Sequence, residues 1–254
     1  MGREPYSSPT PSLSKDLAIL SAVEKKRASK ILRILQSNLP IRTSDFASLS
    51  VNEESHDPFR LLIVTILSQS CTDVAAMMAY RLLEKQIGVT PRSLAQAGVK
   101  DISRSIRVAG LHRQKSKALR ELAQIVLQKY SGHISQILER PTEEARDELQ
   151  NLPKVGPKTA DVLLSVWGKA TISVDTHVER VSKRLALTSS KAKYKYEKTR
   201  SDLMQLFDVE DYGKIPLLFM AHGRKYCRAI RPLCPTCPVE RLCPYPAKPN
   251  FHFQ

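Results

Sequence analysis

The chain has 254 residues, 42% of them hydrophobic and 26% charged, enough for one large domain or two intimate ones around a buried core. The longest apolar run, around Leu61–Leu67, is far too short to cross a bilayer, and the N-terminus lacks the apolar stretch of a secretory signal. An intracellular protein is therefore expected, in the cytoplasm or nucleoid, or in the nucleus if the source is eukaryotic. A net charge of +15 makes a polyanion the expected partner. No basic amphipathic helix with an aromatic face supports a membrane surface, so nucleic acid is favoured.

Along the chain, residues 1–16 read as a flexible tail, because the first thirteen are rich in Ser and Pro. Leu17 to Leu35 shows helical spacing, with Leu20, Val23, Ile31 and Leu35 on one side and Lys25, Lys26 and Arg27 in solvent. Asp57-Pro58 suits a helix start, and Phe59–Ser68 is apolar on almost every face, as in a central buried helix. Helical patterns continue over Thr72–Gln86, Thr90–Ala97 with Pro91 in its first turn, Lys100–Val108 and Lys115–Tyr130. Further ones run over Thr142–Leu149, Pro157–Trp167, Val178–Leu187, Tyr196–Phe207 and Gly213–Gly223. No run alternates with period two, so the expected class is all-α, which excludes Rossmann, P-loop and most hydrolase folds.

Three groups of residues carry chemistry. The first is Leu152-Pro153-Lys154-Val155-Gly156 between two helical patterns, which reads as helix, tight hairpin, helix. Gly156 lets backbone N–H groups approach a phosphate oxygen, and the next helix N-terminus adds donors and a positive dipole end. Such contacts hold a nucleic-acid backbone without reading sequence. By itself the segment reads rather as an ordinary helix corner. The second group is Lys158 with Asp175. A lysine amine beside a helix N-terminus and other cations is a candidate nucleophile, and a fixed carboxylate stabilises developing positive charge. Taken singly, Lys158 reads as a solvated phosphate contact and Asp175 as the cap of the helix through Val178. The third group is Cys227, Cys234, Cys237 and Cys243 at C-x6-C-x2-C-x5-C. Four cysteines so close together in a reducing compartment indicate one metal site rather than disulfides.

Together these residues resemble the endonuclease III family of helix-hairpin-helix DNA glycosylase/abasic-site lyases, over about Ile31 to Tyr245. The resemblance implies a two-lobed all-α glycosylase fold. A helical-barrel lobe of about 57–170 would contain the helix-hairpin-helix at about 146–168. A discontinuous lobe of 17–56 plus 171–246 would carry a [4Fe–4S] cluster on the four cysteines, with 247–254 as a tail. Zinc is the alternative metal, although its modules usually pair cysteines across a longer loop.

The resemblance also implies a bifunctional enzyme acting as a monomer on damaged double-stranded DNA. It would remove oxidised pyrimidines and cleave abasic sites, with Lys158 and Asp175 catalytic. Alternatives are a mismatch uracil/thymine or damaged-purine glycosylase, or a non-catalytic helix-hairpin-helix DNA-binding protein. Lys154, Val155 and Gly156 would hold the backbone, as would Arg224, Lys225, Arg228 and Arg231 in or beside the cysteine loop. Gln69 or Ser70, and the apolar Leu111 of the Gly-Leu turn, would fill the gap left by a flipped base. Thr72 and Asp73 would line the lesion pocket, Asp73 otherwise serving as a helix N-terminal carboxylate. Cys71 packs as a small apolar residue, and His177 is structural or a DNA contact. The family usually has Gly where this chain has Lys154, so a differently shaped hairpin is expected, with the ammonium compensating on the same phosphate.

Overall fold

The computed structural model describes residues 11–189 and 195–245, and no strand occurs among them. The helices are α1 (Pro11–Asn38), α2 (Ala47–Ser55), α3 (Pro58–Leu67), α4 (Asp73–Gln86), α5 (Pro91–Gln96), α6 (Val99–Ser105) and α7 (His112–Tyr130). There follow α8 (Ser135–Leu138), α9 (Thr142–Gln150), α10 (Pro157–Val166), α11 (Thr176–Arg184), α12 (Tyr196–Leu206) and α13 (Lys214–Lys225).

Local chemistry sets several of the boundaries. Asp57 Oδ1 accepts the N–H groups of Phe59 (2.8 Å) and Arg60 (3.3 Å), and Pro58 occupies the first helical position of α3, where no donor is needed. At α5 the Thr90 side chain accepts from Ser93 N–H and the Ser93 hydroxyl accepts from Thr90 N–H, a reciprocal cap.

Two apolar cores result. The first gathers α2 to α10, from Ala47 to Leu164, with Val166 and Trp167 packed on its edge. Its centre is α3, in which every residue except Pro58 and Arg60 is buried. The one buried hydroxyl there, Thr65, donates back to Leu61 C=O at 2.7 Å, which spares the helix an unmet polar group. The second core joins Ala28–Leu35 of α1, and Leu39 just after it, to residues from Ile172 to Val239. The N- and C-terminal parts of the chain thus complete one lobe between them.

Three details differ from the sequence expectations. Helix α1 starts at Pro11, so residues 11–16 are helical rather than tail; residues 1–10 and the tail 247–254 lie outside the described residues. Ala47 and Val51 of α2 pack in the first core, so the first lobe begins about ten residues before 57. Arg27 is not in solvent: its guanidinium donates to the carbonyls of Leu185 (2.8 Å), Ala186 (3.0 Å) and Leu242 (3.2 Å), pinning α1 to the other end of its own lobe.

The lobes are tied by a buried polar network. The Asp161 carboxylate in α10 is fully buried and accepts from Arg146 Nε (3.0 and 3.2 Å), Thr171 Oγ1 (2.6 Å) and the Tyr196 hydroxyl (2.7 Å). Arg200 Nε stands 3.4 Å from the same carboxylate and donates to Thr171 Oγ1. Glu197 pairs with Arg146 and Glu143 with Arg200, which gives each cation a second anion. Removing only the central carboxylate leaves each of two buried guanidinium groups with a single, largely exposed carboxylate. Asp161→Ala should therefore lose about 3–5 kcal/mol of unfolding free energy, measured by chemical denaturation, whereas a loss below about 1 kcal/mol would mean the network is dispensable.

Candidate functional site

The hairpin between α9 and α10 is anchored by two buried side chains, Leu152 and Val155, each 4% exposed. Val155 was expected to contact DNA, but with its side chain turned into the core only its backbone is available. Lys154 is exposed and has φ 63°, the left-handed region that glycine enters freely. The hairpin thus makes a left-handed turn with a β-carbon in it, at a cost of about 1–2 kcal/mol. Two bonds hold Lys154 there: its carbonyl accepts from Gln69 Nε2 (2.9 Å), and its ammonium donates to Gln114 Oε1 (3.2 Å). Gly156 has φ −91° and ψ 179°, open to any residue, and a β-carbon built on it meets nothing within 4 Å. Neither strain nor crowding inside the protein calls for glycine at this position.

The next residues open onto a cleft of about 660 Å³ between the lobes, lined from the first lobe by Lys158 and from the second by Asp175. Lys158 stands in the first turn of α10, half-buried, after Gly156 and Pro157. Asp175 caps α11. Its Oδ1 accepts the N–H groups of His177 (2.8 Å) and Val178 (2.7 Å), and Oδ2 lies 3.2 Å from His177 Nδ1. Burial alone would raise the Asp175 carboxyl. The His177 ring, the Val178 N–H and the charges of His177 and Lys158 outweigh burial and hold it below the usual aspartate range. The sequence reading gave His177 a vague role; the structure makes it the partner that fixes Asp175. Room for the ring comes from Gly223 of α13, where an added β-carbon would lie 3.1 Å from His177 Cβ and Cδ2.

Around the cleft mouth, Gln69 and Ser70 prove unlike. The Gln69 amide is tied to Lys154 C=O and to Thr159 Oγ1 (3.1 Å), while Ser70 is exposed at φ 57° and carries none of those ties. Ser70 is therefore the one of the two that faces outward. Leu111 is 51% exposed at φ 48°, an apolar side chain held into solvent by a strained backbone next to Gly110 at φ 65°. Asp73 lines the cleft and is paired across it: Oδ2 accepts from Arg224 Nη2 (2.8 Å), and Oδ1 from Ala47 N–H (3.1 Å). Arg224 also sits over the Phe46 ring at 5.5 Å. It faces the cleft, not the cysteine-loop surface where the sequence placed it. Thr72, expected in the pocket, is exposed outside the cleft lining, with its hydroxyl spent on Ala75 N–H as the cap of α4. Cys71 packs against the first core and also lines the cleft.

Cys227, Cys234, Cys237 and Cys243 all line one small cavity at the far end of the second lobe, and none is in a disulfide. Arg184, invisible as a site residue in the sequence, organises the loop. It is 5% exposed, donates to the carbonyls of Arg228 (2.6 Å) and Ala229 (2.9 Å), and lies 3.4 Å from Cys227 Sγ. Burial pushes the Cys237 thiol up to about 11 and raises those of Cys234 and Cys243, and the cysteines' mutual repulsion adds to it. Four half-buried cysteines around one cavity fit a thiophilic group that replaces their protons. Among the described residues, no three His, Cys, Asp or Glu side chains close on a single ion. Lys225, Arg228 and Arg231 lie exposed beside this loop, and Lys225 stands 5.0 Å from the Tyr226 ring centre.

Comparisons with known proteins agree with this geometry. Residues 63–208 match the family model described as HhH-GPD superfamily base excision DNA repair protein. The chain is 32% identical over 224 residues to an endonuclease III of Sulfolobus acidocaldarius, covering 86% of this chain and 96% of the relative. Among solved structures, a non-covalent endonuclease III–DNA complex superposes with a TM-score of 0.74 at 30% identity, over 88% of this chain and 97% of that one. A trapped endonuclease III–DNA covalent intermediate gives 0.67 at 35% identity, over 76% and 85%.

The electrostatics of Asp175 can be checked without a substrate. Its folded pKa is depressed, so the ionised form adds stability above the unfolded value near 3.9, and that stability is lost as pH falls through the folded value. Asn still caps a helix. Asp175→Asn should accordingly be less stable than the wild type at pH 7, and the gap in unfolding free energy should close below about pH 4. A gap independent of pH would show that the carboxylate is not held ionised by its surroundings.

Proposed function

Because the chain belongs to the HhH-GPD superfamily of base excision DNA repair proteins, among the endonuclease III proteins, we propose that it is a bifunctional DNA glycosylase and abasic-site lyase acting on oxidised pyrimidines in double-stranded DNA. The observation that carries the reading is one cleft in which an amine at a helix N-terminus, directly after a backbone-binding hairpin, shares the space with a carboxylate kept ionised.

The hairpin N–H groups around Gly156 and the positive end of α10 hold phosphate oxygens, and the exposed cations beside the cysteine loop add charge. The damaged nucleotide leaves the stack and enters the cleft. Ser70 and Leu111 occupy the space it vacates. The unprotonated Lys158 Nζ attacks deoxyribose C1′. The glycosidic bond breaks, and the base departs with its electron pair and gains a proton. Opening of the sugar ring converts the resulting aminal to a Schiff base. Loss of a C2′ proton then expels the 3′ phosphate and cuts the strand. A carboxylate below the usual aspartate range is a weak proton acceptor but a strong fixed charge. Asp175 is therefore assigned to stabilising the cationic sugar, more than to carrying protons.

The four cysteines are assigned to a [4Fe–4S] cluster, for which four thiolates are the usual ligands. When bound, it supplies a rigid cross-link within a loop of low apolar content. The cluster would hold Arg228 and Arg231 in place, and no step of the reaction passes through it.

Borohydride trapping tests the mechanism. The wild type should become covalently joined to abasic duplex DNA and Lys158→Ala should not; an adduct of undiminished yield in the variant would overturn it. A cleavage panel of thymine glycol, uracil and 8-oxoguanine duplexes reads the base preference, with thymine glycol expected to be cut fastest. For the metal, purified protein should hold about four irons per chain and an acid-labile visible absorption, and Cys234→Ser should lose both. Stoichiometric zinc would refute the assignment.

A further inference from the structure

Lys115, in the first turns of α7, is 1% exposed, an unusual place for a lysine. Its ammonium donates to the carbonyls of Leu67 (2.8 Å), Gln69 (2.7 Å) and Ala109 (2.9 Å), which uses all three protons. No carboxylate pairs with it among the described residues. Its charge is met by carbonyl dipoles, two of them at the C-terminal end of α3, where such groups lack helical partners. An apolar side chain would fill the same volume, so the constraint on this position is the three acceptors.

These acceptors flank the proposed gap fillers. Gln69 immediately precedes Ser70, and Ala109 precedes Gly110-Leu111. Further bonds close a ring. The Gln69 amide donates to Lys154 C=O in the hairpin, and Lys154 Nζ donates to Gln114, the neighbour of Lys115. Three segments far apart in sequence are thereby laced together around one cation. Each also holds a residue in the left-handed region: Ser70 at 57°, Leu111 at 48° and Lys154 at 63°.

We propose that Lys115 is a positioning residue that couples the Ser70 segment, the Leu111 turn and the phosphate-binding hairpin into one unit, so that both fillers enter the duplex together while the hairpin grips the backbone. It touches neither substrate nor reacting atoms. The proposal rests on the glycosylase/lyase reading above.

The test compares two abasic substrates by single-turnover borohydride trapping, using the full chain with its iron bound. In duplex DNA the opposite strand leaves a gap that must be filled; in a single strand there is none. Lys115→Met should slow trapping on the duplex by about 10- to 100-fold, the consequence of losing charge-assisted bonds at two loops. Trapping on the single strand should stay within about twofold, since Lys158 and Asp175 are not in the ring. Equal losses on both substrates would reduce Lys115 to a general stabiliser and overturn the proposal, as would no loss on either. Should Lys115→Met not fold, Gln114→Ala opens the ring from its exposed side without orphaning a buried carbonyl. It should show the same selectivity at about 2- to 5-fold, and its absence counts against the proposal. A wild type that traps neither substrate would instead refute the lyase reading itself.

Discussion

The Asp161 carboxylate is fully buried, and it is held only by groups from three other parts of the chain. Arg146 reaches it from α9, Tyr196 and Arg200 from α12, and Thr171 from the segment linking α10 to α11. Because the bonds converge on one fully buried acceptor, the two lobes cannot slide without exposing charge to a low-dielectric interior. The same Tyr196 hydroxyl accepts from Val174 N–H at 3.3 Å and lies 3.4 Å from the Pro157 carbonyl. Val174 adjoins Asp175 and Pro157 adjoins Lys158. The spacing of the proposed nucleophile and its counter-charge is thus inherited from a network that neither residue belongs to.

The protein faces conflicting electrostatic demands. A surplus of fifteen positive charges attracts phosphates over the whole molecule, yet the cleft must hold an anion ready and keep an amine available. Asp175 meets the first need through the His177 ring and two backbone N–H groups at a helix start, with the charges of His177 and Lys158 added. The pairing of Asp73 with Arg224 similarly neutralises charge at the cleft wall, leaving Lys158 as the amine of the first lobe that lines the cleft.

What the sequence made legible was local or spaced. Asp57-Pro58 and Thr90-Pro91 announce helix starts because a cap needs only neighbours, and α3 shows itself by being apolar all round. The C-x6-C-x2-C-x5-C spacing marked four cysteines as one group, and they line one cavity. What stayed hidden depends on partners distant in sequence. Lys115 drew no reading beyond the start of a helical pattern, because its acceptors lie up to 48 residues away. Gln69 and Ser70 could not be ranked until the hairpin was seen to occupy the Gln69 amide. Thr72 was taken for a pocket residue although its hydroxyl was needed by the next helix turn. Helix α2 escaped notice because only Ala47 and Val51 are buried, too few apolar positions to set a period.

Lys154 and Gly156, two residues apart, invert the usual logic of hairpin composition. The left-handed position that asks for glycine carries lysine, and the glycine stands in ordinary extended backbone with open space where a β-carbon would be. The folded protein alone is indifferent to what occupies position 156. A screen for stability would therefore pass larger residues there, and, on the proposed function, only selection in the presence of the nucleic-acid backbone would register the missing methyl group as part of a surface shaped to fit a phosphate.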